Sequence, residues 1–163
     1  MINRILGIDP GFGRVGFGVI EKQANEWKYV SHGLIETSAK QSFVERLWQI
    51  HRDLTEVIVK YHPTFAAVEE LFFAKNVITA IQVGQARGVI LLTLAQNKIP
   101  IYEFTPLQIK QSITGYGRAG KDQLQKMVIM LLGLKIKKLQ DDAADALAIA
   151  LCLSSSLRLQ KKL

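Results

Sequence analysis

The stretch Ile5-Leu6-Gly7-Ile8-Asp9-Pro10-Gly11 decides how the chain is read. The apolar run Ile2 to Ile8, punctuated by Gly7, predicts a strand. Asp9-Pro10-Gly11 ends it, because proline presets φ for a turn and glycine tolerates the conformations a turn demands. Working outward, Val15 to Ile20 predicts a second strand, although Gly16 and Gly18 are poor strand formers. Trp27 to Glu36 predicts a third, and the three together form an antiparallel meander.

Helical signals take over at Ser42. Ser42-Phe43-Val44-Glu45 is a capping box, in which hydroxyl and carboxylate satisfy opposing free amides. Phe43, Leu47, Ile50, Leu54 and Val57 then recur at helical spacing until Pro63 ends the element. Phe65 to Glu69 reads as a short buried strand and Asn76 to Gln96 as a long helix. Ile99 to Phe104 is a further strand, followed by a second capping box, Thr105-Pro106-Leu107-Gln108, with proline at the first helical position. Gly115-Tyr116-Gly117 is a loop; a helix from Lys121 stops at Gly133, and the last runs from Asp142 to Ser156. Three antiparallel strands followed by strand–helix crossovers predict an α/β fold with a five-stranded mixed sheet flanked by helices. A single domain is expected over residues 1–158, with a short basic tail over 159–163.

Hydrophobic residues make up 48% of the 163, which excludes global disorder. The apolar run Val89 to Ala95 is far below the roughly 20 residues of a membrane span. The N-terminus lacks a signal-peptide pattern, so a soluble, cytoplasmic protein without membrane partners is expected. Cys152, flanked by leucines, is the only cysteine and reads as a core or interface thiol. His32, His51 and His62 show no metal-ligand spacing.

The net charge of +7 is uneven: residues 1–72 carry −1 and residues 73–163 carry +8. A basic half favours a polyanionic partner. Within it three of the five acids, Asp141, Asp142 and Asp145, stand together at the start of the last helix. Residues three apart share a helix face, so Asp142 and Asp145 can aim at one spot. Asp9 ends the first strand, and Glu69-Glu70 end the fourth. Taken singly, each acid has a plain role as turn, cap or solvated strand end. Together they repel one another unless a cation joins them, and carboxylate-only clusters suit Mg2+ or Mn2+. Two such ions roughly 3.5–4 Å apart support phosphodiester hydrolysis. Strand alternation puts Glu69 with Phe65 and Ala67, and Glu70 with Ala66 and Val68, without saying which glutamate joins the site.

The ordered segments Ile5–Gly11, Val68-Glu69-Glu70-Leu71-Phe72-Phe73-Ala74-Lys75-Asn76, Gly84-Gln85-Ala86-Arg87-Gly88, Gln108-Ile109-Lys110-Gln111 and Asp142-Ala143-Ala144-Asp145-Ala146-Leu147-Ala148 resemble the RuvC family of Holliday junction resolvases over nearly the whole chain. The resemblance implies a ribonuclease H-like fold, a homodimer and paired symmetric nicking of four-way junction DNA, with branch-migration proteins as partners. It aligns Asp9, Glu69, Asp142 and Asp145 with the four metal-binding catalytic acids and selects Glu69 over Glu70. At the position of Asp142 some members carry histidine. Two Mg2+ ions per site, replaceable by Mn2+, are the implied cofactors. Lys110 and Lys121 match lysines near the scissile phosphate, and Phe72 an aromatic at the junction centre; Lys75 and Arg87 fall in the matching segments and are assigned to DNA contact.

Gly84 and Gly88 lie four apart on the long helix, where each glycine costs about 1 kcal/mol relative to alanine. They call for close packing, either across a dimer interface or against the chain's own sheet. Three other functions compete: an actin-like ATPase, for which the chain is too short; a ribonuclease H-like nuclease acting on RNA or RNA–DNA hybrid; and a non-catalytic DNA-binding relative, which would be expected to lose acids.

Overall fold

The computed structural model describes residues 3–70, 77–136 and 138–160, with backbone only for 158–160. Strands β1 (Arg4–Asp9), β2 (Arg14–Gln23) and β3 (Glu26–Glu36) form the expected antiparallel meander. Helix α1 (Phe43–Tyr61) leads to β4 (Phe65–Glu69), α2 (Val77–Gln96) to β5 (Ile101–Phe104), and α3 (Pro106–Thr114), α4 (Lys121–Leu131) and α5 (Asp141–Gln160) follow. The sheet order is β3-β2-β1-β4-β5, with β1–β4 and β4–β5 parallel.

Both capping boxes form: Ser42 accepts the Glu45 amide while Glu45 accepts that of Ser42, and Thr105 and Gln108 do the same. Boundaries move by a residue or two. The helix expected to stop at Gly133 ends at Leu131, with Gly133 just beyond at φ 62°. The last helix starts at Asp141 and continues through Gln160, so it runs past Ser156 into the first two residues of the expected tail. Ile99 is buried but precedes β5.

The sheet separates two cores. On one face Leu6, Ile8, Val19, Ala66 and Val68 pack with Ile50 and Leu54 of α1 and Ala86, Ile90 and Leu94 of α2. On the other, Ile5, Ile20 and Ala67 pack with α3, α4 and α5. Nearly all of α5 between Ala143 and Leu153 is buried, which makes it the central helix of that layer. The glycines that weaken β1 and β2 as strands explain its position. A Cβ at Gly7 would stand 2.1 Å from the Ala146 carbonyl oxygen, and one at Gly16 2.7 Å from that of Asp142. Only glycine lets the backbone of α5 lie this close to the sheet.

By length and composition α2 could cross a membrane. Here one side of it is buried, while Val77, Ile78, Ile81 and Leu92 are more than half exposed. Of the single cysteine, the expectation was a core or interface thiol, and Cys152 is buried in the α5 layer. His51 pairs with Thr93 (Nδ1–Oγ1 2.9 Å), His32 with Tyr29, and His62 ends α1 in a left-handed conformation.

Candidate active site

Four acids converge at one end of the sheet, and the pleat explains how. Ile5 and Gly7 face α5, so Asp9, two residues on, faces it too. Ala67 also packs on the α5 side, whereas Ala66 and Val68 face α1 and α2. Glu69 therefore continues the α5 face, and Glu70 turns away while its amide bonds the Phe104 carbonyl at 2.9 Å. The parallel register pairs Ile8 with Val68, and one step further Asp9 and Glu69 come within hydrogen-bond reach of each other. The first turns of α5 bring Asp142 and Asp145 over them.

The electrostatics match this crowding. Asp9 is pushed up from 3.8 to about 7 by burial first, then by the charges of Glu69, Asp145 and Asp142. Glu69 is raised by burial and by Asp145, opposed by its hydrogen bond with Asp9 and by Lys110. Burial raises Asp145 as well, opposed chiefly by Lys121. Asp9 and Glu69 share a hydrogen bond, and both carboxyls are raised by burial and by the neighbouring acids. Lys110 and Lys121 thus lie close enough for their charges to act on Glu69 and Asp145.

Among the described residues, no three His, Cys, Asp or Glu side chains are drawn into a finished metal cage. The donor chemistry nevertheless fits hard divalent cations: every donor is a carboxylate oxygen, and the proton on Asp9 occupies charge balance that a cation would supply.

A stability consequence follows from Asp9. Between about pH 4 and 7 the folded state holds a proton that the unfolded chain has lost, so stability falls as pH rises through that window. Asp9→Asn removes this loss. At pH 8 without metal the variant is expected to be more stable by roughly 1–2 kcal/mol after solvent screening, about 2–8 °C in Tm. At pH 4 the two should melt together. Thermal unfolding at both pH values checks this; an equal gap at each would show that Asp9 is not the strained group.

Arg87 has a different position from the DNA contact assigned to it. Its Nε donates to the Glu69 carbonyl at 3.1 Å and its guanidinium pairs with Glu103, leaving the side chain 17% exposed. It braces the end of β4 against β5 and is committed within the chain. Phe72 and Lys75 lie outside the described residues. Gly84 and Gly88 sit on α2, and a Cβ at Gly88 would meet nothing within 4 Å. Close packing on the chain's own sheet therefore does not account for Gly88.

One residue escaped the sequence reading. Arg14 pairs with Glu36 at 3.1 Å, lies 4.0 Å from Asp142, and lines a groove of about 820 Å³ with Lys121, Lys138 and Asp142. The available signal was a cation just after the Asp9 turn in an otherwise acidic half.

Residues 5–153 match the family model described as "Crossover junction endodeoxyribonuclease RuvC". The chain belongs to the RuvC family. A crossover junction endodeoxyribonuclease RuvC of Halothermothrix orenii is 54% identical over 158 residues, covering 97% of this chain and 96% of the relative. That of Petrotoga mobilis is 55% identical, covering 91% of each. Thermus thermophilus RuvC in complex with a Holliday junction substrate superposes with a TM-score of 0.90 at 35% identity, covering 97% of this chain and 96% of that one. RuvC membership and the mixed five-stranded sheet make the fold ribonuclease H-like, as the resemblance implied. Full-length correspondence to single RuvC chains also sets aside the two-domain ATPase reading.

Proposed function

We propose that the chain is a metal-dependent crossover junction endodeoxyribonuclease that resolves four-way DNA junctions by paired nicks. The observation that carries this reading is the joining of Asp9, Glu69, Asp142 and Asp145 on one sheet face with Lys110 and Lys121 beside them. Bound Mg2+, two ions per site with Mn2+ as a substitute, would supply water activation and charge stabilisation at the leaving oxygen. Asp9, Glu69 and Asp145 would hold the ions, with Asp142, beside Arg14, as a fourth donor. Lys110 and Lys121 keep the electrostatic balance and offer their ammonium groups to the scissile phosphate. Arg87 positions Glu69 by holding its carbonyl. A DNA substrate goes with a cytoplasmic location, and the family likeness supports branch-migration proteins as partners.

The direct test is incubation of the pure chain with a synthetic four-way junction, a linear duplex and an RNA–DNA hybrid, with and without Mg2+. Metal-dependent paired nicks in the junction alone are expected; preferential cutting of the hybrid would overturn the assignment.

A junction presents two equivalent strands, and each chain has one acidic site, so paired nicking calls for a two-fold dimer. The exposed apolar residues Val77, Ile78, Ile81 and Leu92 and the open side of Gly88 support an interface on α2. Gly88→Leu should leave circular dichroism unchanged, because an added Cβ meets no atom of the described residues within 4 Å, yet shift sedimentation from dimer toward monomer and uncouple the two nicks. A wild-type chain that stays monomeric at micromolar concentration with junction DNA would defeat the dimer.

A further inference from the structure

The connector between α3 and α4 presents an aromatic ring that neither the core nor the acidic site uses. Gly115 ends α3 at φ 73°, and Tyr116 follows with 59% of its surface exposed. Single exposed aromatics are common and alone mean little. Here the backbone that carries the ring is fixed. The Thr114 hydroxyl accepts the Tyr116 amide at 3.2 Å, and the Tyr116 carbonyl accepts the Ala119 amide at 3.1 Å. Gly117 is pressed against the first turn of α3, since a Cβ there would stand 2.4 Å from Leu107 Cδ1.

Both ends of this turn lead to the acidic site. Leu107 comes three residues after Phe104, which pairs with Glu69 across the parallel strands. Four residues past Gly117 is Lys121, whose charge acts on Asp145. Lys110, on α3, acts on Glu69. Tyr116 thus lies in the connector between the helices that carry Lys110 and Lys121, and exposed Arg118 adds a third cation two residues on. Among the described residues the tyrosine has no ring or hydrogen-bonding partner for its side chain. An exposed, unpartnered ring on a hydrogen-bonded turn flanked in the chain by cations suits the stacking of a nucleobase.

We propose that Tyr116 is the stacking platform for the nucleobase next to the scissile phosphate, and hence a specificity-determining residue of the nuclease. This rests on the junction-cutting function proposed for the site. Stacking there holds the strand for attack and favours cleavage points whose flanking base unstacks readily.

The test uses full-length protein with four-way junctions carrying 2-aminopurine on either side of the cleavage point. Wild type, Tyr116→Phe, Tyr116→Ala and Tyr116→Leu are compared, leucine keeping apolar bulk without the aromatic face. In metal-free binding, wild type and Tyr116→Phe should change 2-aminopurine emission at one flanking position, and the alanine and leucine variants should lose that change. With Mg2+ at saturating protein, alanine and leucine should slow single-turnover cleavage by about 5–100-fold and flatten the preference among flanking bases, while phenylalanine stays within about threefold. Wild-type cleavage with equal rates, preferences and emission in the leucine variant would overturn the proposal. A wild-type chain that neither binds nor cuts the junction would instead remove the nuclease function itself.

Discussion

Asp9→Asn is expected to lower four-way junction cleavage at least about 10³-fold while junction affinity holds or rises slightly. Asp9 is the most buried member of the acidic group and the one whose carboxyl all the others push upward. Replacing an anionic oxygen with an amide removes a donor that a hard cation needs, and the neighbours cannot move in, because Asp9 ends a strand paired on both sides. Affinity comes from elsewhere: cations contacting phosphates supply most of it, and a negative charge beside the backbone opposes it. Glu69→Gln and Asp145→Asn should behave alike, since each carboxyl is raised by the same burial. Mobility-shift titration without metal and single-turnover cleavage with Mg2+ separate the two effects. Near-normal cleavage by any of the three would show that its residue is not a ligand.

The second large effect is of salt on binding. Residues 73–163 carry a net +8, and Lys110, Lys121 and Lys138 lie around the acids and the groove beside them. If about five phosphates are neutralised, log affinity falls with log salt at a slope near −4.5, a loss of roughly 500-fold between 50 and 200 mM. Lys121→Gln should make that slope shallower by about one unit. Arg87→Gln should leave the slope unchanged, because its guanidinium is already paired with Glu103, and reduce cleavage through a displaced Glu69. A nearly flat salt response would remove nucleic acid as the main partner; a shallower slope in the Arg87 variant would restore the DNA contact first assigned to it.

Local chemistry was legible without a fold. Ser42–Glu45 and Thr105–Gln108 announce helix starts because a capping box is complete within four residues. Asp141, Asp142 and Asp145 stood out because they cluster in a basic half, and the ordered segments named the family. Other residues carried the wrong local message. Gly16 weakens β2 as a strand, yet its reason is the backbone of α5 lying against it, a contact more than a hundred residues away in sequence. Arg87 reads as one more cation of a basic half until Glu103 is found beside it.

Period-two alternation established that Glu69 and Glu70 point to opposite faces. Which face holds the site depends on where α5 packs, and that is decided by Ile5, Gly7 and Ala67 meeting it together. Likewise two glycines four apart on α2 call for a close neighbour, but only the open space at Gly88 shows that the neighbour is not the chain's own sheet. Sequence by itself determined element order, caps, the candidate acids and the charge imbalance, because these follow from near neighbours and composition. Tertiary structure alone decided which faces meet, which cations are already spent in ion pairs and which carboxyls burial and crowding raise, because each depends on distances and burial that no single segment contains.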